Sequence, residues 1–95
     1  MSKHLSEGEL IKLINHAASL VEVGATYSHY RNPENQYIVT SLTVIVATQS
    51  IGVAYRKKTG SKALQEVIWI RPLESWIEQI SINKEVIPRF QKINH

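Results

Sequence analysis

The sequence predicts a mainly β domain of the α+β class, a small SH3-like antiparallel β-barrel with an added N-terminal helix. Three observations predict it. Apolar residues recur at helical spacing over residues 5–21, and from Ala25 onward the period drops to two. The later runs are short, rich in β-branched and aromatic residues, and separated by turn clusters such as Asn32–Asn35 and the stretch around Gly60. A single short helical stripe precedes the last pair of runs. Closing such a sheet on itself removes its edges, which favours a barrel in a small domain. The expected division is a helix over residues 1–22 and a barrel over residues 23–95.

The helix has a start signal of its own. Ser6 is a natural N-cap, Glu9 completes a capping box, and Leu5 with Leu10 fits a hydrophobic staple. Leu10, Ile11, Ile14, Ala17, Ala18 and Val21 form one face, and the stripe Ile11, Ile14, Ala18 is expected to dock on the barrel. Gly24 supplies the turn that follows. In the first β-run Tyr27 and His29 share a face, with Tyr30 on the other. The run from Gln36 to Gln49 is too long to be flat and must bend; Ile38, Leu42, Val44 and Val46 are its apolar positions, interrupted by Thr40. In the next run Ile51, Val53 and Tyr55 share a face, opposite Arg56 and Lys58.

A basic loop, Lys57 to Gln65, includes a helical turn and leads to Val67–Pro72. There Ile68 and Ile70 are expected inside, with Trp69 and Arg71 outside, and Pro72 ends the ladder because it lacks an N–H. Leu73, Trp76, Ile77 and Ile80 make the apolar stripe of a short helix opened by Pro72. A final hairpin turns at Asn83, a residue that tolerates left-handed backbone.

Composition bounds the function. Ninety-five residues with 43% hydrophobic content make one domain with one core. There is no cysteine, hence no disulfide or thiolate site, which fits a reducing cytoplasm. No apolar run has the ~20 residues of a membrane span, and the first residues lack a signal-peptide pattern. Net charge is +3, mild for a nucleic-acid binder. Every acidic residue is a glutamate, which removes the aspartate that many magnesium sites and catalytic triads use.

Four motifs stand in order: Gly24-x-x-Tyr27-x-His29-Tyr30, then Tyr55-Arg56, then Trp69-Ile70-Arg71-Pro72-Leu73, then Pro88-Arg89-Phe90. Together they resemble the bacterial and phage family known as domain of unknown function 1653, over Val23 to Ile93, with the N-terminal helix an addition. The resemblance implies a compact, mainly β domain of the bacterial cytosol and brings no established reaction. The chain departs from the family at its His-Ser-Glu-Thr-like segment, where it reads Thr48-Gln49-Ser50-Ile51-Gly52, and in lacking an aromatic after Tyr55-Arg56.

The histidines, His4, His16, His29 and His95, make no metal-ligand spacing, so no metal and no cofactor is expected. No nucleophile elbow or phosphate loop occurs, and Ser28 and His29 point to opposite faces of their strand. The remaining signal is a set of aromatic and cationic residues, Tyr27, His29, Arg56, Trp69, Arg71 and Arg89. An indole stacks planar groups and a guanidinium forks onto anions, so these six are the expected ligand-binding residues. A scaffold role competes, with Trp69 capping the core beneath the N-terminal helix and Arg71 paired to Glu66 or Glu74.

The expected function is therefore a non-enzymatic binding module for an anionic small molecule or a protein partner. Nucleic acid is a weaker candidate and a membrane is not expected. The alternatives are a small enzyme with His29 as general base beside Tyr27 or Glu66, a single-strand nucleic-acid binder, and a structural adaptor associating through its helix.

Overall fold

A computed structural model describes residues 5–93. Helix α1 (Glu7–Leu20) begins where the capping residues place it: the Ser6 hydroxyl accepts from the Glu9 N–H, and the Glu9 carboxylate accepts from the Ser6 N–H. Gly24, at φ +91°, turns the chain into the sheet. The remaining elements are β1 (Thr26–His29), β2 (Gln36–Ile45), β3 (Ser50–Lys57), α2 (Lys62–Gln65), β4 (Trp69–Pro72), α3 (Leu73–Trp76), β5 (Gln79–Ile82), β6 (Glu85–Pro88) and β7 (Phe90–Lys92).

Five strands form one antiparallel sheet in the order β4-β3-β2-β1-β7, and β5 and β6 pair separately. With 42% of the described residues in strands and 25% in helices, the fold is mainly β, as expected. The expected SH3-like barrel is not formed, because β4 and β7 are the two unpaired edges of an open sheet. The sheet curls far enough for Arg71 of β4 to reach Phe90 of β7, but no ladder joins the two edge strands.

Residues directly opposite each other across an antiparallel pair share a face, so the register sorts the side chains. Tyr27, Tyr37, Val39, Leu42, Val53, Tyr55 and Phe90 lie on one face, and Val21 from the end of α1 and Trp76 from α3 cover it. Val21, Val39 and Val53 are fully sealed. Strand β2 reaches this face with odd residues at its start and even residues later. The switch is a β-bulge between Val39 and Ser41, where the Thr40 hydroxyl donates to the Ala54 carbonyl. The bend was expected, but Ile38 consequently faces away from Leu42 and Val44.

Two face assignments are reversed. In α1 only Ala17 and the capping Val21 are buried, while Ile11, Ile14 and Ala18 are exposed, so the expected docking stripe points to solvent. In β4, Arg71 pairs with Val53 and Trp69 with Tyr55, which puts both on the covered face; Ile70, opposite Ala54, takes the outer one. The small residues of β3 explain the choice. A Cβ on Gly52 would lie 3.0 Å from Ile70 Cγ2 and 3.1 Å from Ile45 Cδ1, so the missing side chain makes the recess Ile70 fills.

Asn83 (φ 50°) and Lys84 (φ 69°) form the two-residue turn between β5 and β6, with Ile82 opposite Glu85. Positive φ at both positions is the type I′ signature, which matches strand twist. No helix among the described residues is long and apolar enough to cross a membrane.

Candidate cationic site

Phe90 is the hub around which the site is built. Its ring stacks on Trp76 at 3.9 Å between centroids and 8° between planes, and His29 meets it edge-on at 5.3 Å. The Arg71 guanidinium carbon lies 5.3 Å from the Phe90 centroid, and Tyr37 meets the ring edge-on at 5.9 Å. β1 and β7 bring His29 directly opposite Phe90, and β4 delivers Arg71 from the far edge of the sheet.

The charges around this hub are mostly of one sign. His29 is held below its ordinary value of 6.5, by burial first and then by the positive charges of Arg71, Arg89 and Arg31. Its Nδ1 accepts from the Arg31 backbone N–H at 3.1 Å, so the neutral ring keeps its proton on Nε2 and presents a donor there. Tyr37 is raised above 10.0 by burial and by Tyr55, with Arg71 pulling the other way. Arg89 pairs with Glu78. Arg71 has no ion pair among the described residues; it donates from Nη1 to the Ser75 hydroxyl at 2.9 Å, and its Nε–H, like that of Arg89, is buried without an acceptor. The expected Glu66 or Glu74 partner is replaced by Ser75, four residues on and one helical turn away.

The six expected residues therefore divide. His29 and Arg71 meet at Phe90, and Arg89 is near enough for its charge to add to burial and Arg71 in lowering the His29 pKa. Trp69 shares the face of Arg71 at the sheet edge, partly exposed, and is not sealed under α1. Tyr27 belongs to the core: it is buried, meets Trp76 edge-on at 5.3 Å, and its hydroxyl accepts from the Glu22 N–H. Arg56 lies opposite Ile38 on the outer face, away from the cluster. Sequence reasoning missed Phe90 as the hub and Glu78 as a partner. Glu78 was within reach of it, because a two-residue turn at Asn83–Lys84 implies a ladder that continues outward to Glu78 and Arg89. His4 and His95 lie outside the described residues. Among those described, no three His, Cys, Asp or Glu residues gather as a metal site.

Beside His29 is a recess of about 140 Å³ lined by Ser28, Tyr30, Pro33, Ile87, Pro88 and Gln91. A larger groove, about 630 Å³, runs between α1 and α3 and is floored by Leu13, Ile51, Leu73 and Ile77. It includes none of the six expected residues. Of the six expected residues His29 alone lines the smaller recess; Arg71 and Arg89 are not part of its wall.

A family model described as a protein of unknown function, DUF1653, matches residues 25–92. A crystal structure of a DUF1653 protein from Bordetella bronchiseptica is similar, with TM-score 0.61 and 24% identity over 76% of this chain and 87% of that one. At that identity the likeness bears on the fold. No curated protein matches the chain. The matched segment runs from before β1 through the last residue of β7, taking in every strand and leaving out α1, and on that match the chain belongs to the DUF1653 family.

Proposed function

We propose that this chain is a non-enzymatic binding module that holds a small anion, or the anionic end of a larger ligand, at His29, Arg71 and Arg89. One observation carries the reading: Arg71 is a half-buried guanidinium with no carboxylate partner among the described residues, and it uses Nη1 on Ser75 while its Nε–H stays unpaired. Such a group is costly to keep without a counter-charge, and an acceptor of carboxylate or phosphate shape relieves that cost. Arg89 and Arg31 add to the field, and His29 supplies a neutral donor from Nε2. The recess beside His29 has room for a phosphate or carboxylate; Arg71 and Arg89 lie outside its wall and act there through their charge, which adds to burial in lowering the His29 pKa.

The orientation of His29 also weighs against general-base catalysis. With Nδ1 occupied by a backbone N–H, the ring has no free lone pair to offer a substrate proton. Tyr27 is sealed in the core. Glu66 belongs to the loop before β4 and has no hydrogen bond to His29.

The test is thermal unfolding in phosphate, sulfate, citrate and nucleoside phosphates against chloride at matched ionic strength. A bound anion stabilises the folded chain by about 2.7 kcal/mol at a hundredfold excess over Kd. At about 4–8 °C per kcal/mol for a domain of this size, that shift is easily measured. It should vanish in Arg71→Ala. Equal melting temperatures in all salts, or a shift that survives Arg71→Ala, contradict the proposal.

A further inference from the structure

The β4 edge has the composition of a strand that pairs with another strand. Val67, Ile68, Trp69 and Ile70 are four consecutive apolar residues, exposed at 43%, 53%, 41% and 57%. Strand β4 has β3 as its one neighbour, so its outer side presents an unsatisfied row of backbone donors and acceptors. Edge strands are normally guarded by an inward-pointing charge, a lysine, a bulge or a covering segment. Here Arg71, turned to the covered face, and Pro72 guard the end of β4, whereas the apolar run before them, Val67–Ile70, has none of these devices, and its exposure shows that no described element covers it.

We propose that β4 is the interface through which two copies of this chain associate, edge to edge and antiparallel, joining two five-stranded sheets. The occupant follows from the sequence of the strand itself. A twofold axis perpendicular to a sheet sets a residue opposite its own copy, and Ile68-Trp69-Ile70 reads the same in both directions. Centring the axis on Trp69 sets Ile68 against Ile70 of the second copy twice over, and the two indoles against each other on the other face. Cross-strand aromatic and β-branched pairs are the favourable unit of sheet pairing. Exposed Leu64 in α2 adds to the same apolar rim. Pro72 has no N–H to add to the new ladder, which limits the pairing to a few residues. An interface of one short strand falls in the small class, below about 1,200 Å² in total, so the dimer is reversible and concentration-dependent.

Sedimentation velocity on the full chain across a hundredfold concentration range tests this, with Ile68→Lys and Ile70→Lys as separate variants. Ile70 packs over Gly52, whereas Ile68 precedes the paired residues, so Ile68→Lys gives the comparison in which the fold is least disturbed. The expected result is a monomer–dimer equilibrium in the parent chain. Each folded variant, checked by circular dichroism, should weaken it at least tenfold. Amide exchange at Ile68 and Ile70 should slow as the parent concentration rises. A parent chain that stays monomeric throughout, or a dimer that persists in both variants, overturns the proposal. Neither outcome bears on anion binding at Arg71.

Discussion

Replacing Arg71 with alanine separates a binding residue from a scaffold residue, and the structure gives the size of the effect. The change removes one hydrogen bond to Ser75, worth about 0.5–1.5 kcal/mol net, and one cation–π contact with Phe90, worth roughly 0.5–1 kcal/mol at a partly exposed site. It also removes a buried, unpaired Nε–H and relieves repulsion among Arg71, Arg89 and His29, both of which offset the loss. The net cost is about 1–2 kcal/mol, against a total stability of about 5–14 kcal/mol for a chain of this length. Arg71→Ala should therefore fold, with a slightly lower urea midpoint and an unchanged m value. The same substitution removes the leading charge that depresses His29, so the His29 pKa, followed by NMR of its ring C–H signals, should rise. A loss above about 4 kcal/mol would show that Arg71 is a scaffold residue. An unmoved His29 would show that the two groups do not share a field.

Three other outcomes follow from the packing. Trp76→Ala removes the indole stacked on Phe90 and should cost about 3–5 kcal/mol by urea unfolding; a cost under 1 kcal/mol would deny Trp76 its place in the core. Gly52→Ala should destabilise by about 1–3 kcal/mol, because the new Cβ would lie 2.7 Å from Thr43 Oγ1 and close to Ile70 and Ile45; an unchanged or raised melting temperature would show that these neighbours move aside. Because His29 titrates below 6.5 in the folded chain, the unfolded chain takes up the proton first. Its contribution to stability is full above pH 6.5, falls as the pH drops through that value, and levels off below the folded pKa. His29→Asn keeps an acceptor for the Arg31 N–H and should flatten that part of the profile in thermal melts between pH 7.5 and 5; an identical slope would assign the pH dependence to other groups.

The elements legible in the sequence were those with local causes. The Ser6–Glu9 box set the start of α1, Gly24 set its exit, and Asn83 set the last hairpin, because each depends on residues a few positions apart. The choice of face was not legible where the deciding residue lay elsewhere in the chain. Alternation in Val67–Pro72 says that Trp69 and Arg71 share a side; which side depends on Gly52 and Ala54 in the neighbouring strand. Thr40 read as an interruption in an apolar run, yet its bulge reverses the sidedness of everything after it. The helix stripe failed for a related reason. The apolar face of α1 is broad, reaching from Ile11 and Ala18 across Ile14, Val21 and Ala17 to Leu13 and Leu20, so its period cannot say which strip of that face the sheet will cover. Of the six expected residues, His29 and Arg71 meet at Phe90, and Arg89 pairs with Glu78 while its charge bears on His29. Tyr27 was lost to the core, and the sheet's register carried Arg56 to the other face.

The most direct test of the anion site is to follow the side-chain Nε–H signals of Arg71 and Arg89 by NMR while phosphate is added at constant ionic strength. Both protons are buried and unpaired, so an acceptor arriving at the guanidinium should shift them. Binding at this site predicts saturable shifts at Arg71 and Arg89, a parallel rise in the His29 pKa, and no change at Arg56 on the outer face. Signals that stay fixed to high phosphate, or that drift linearly together with Arg56, would contradict an anion site at His29, Arg71 and Arg89.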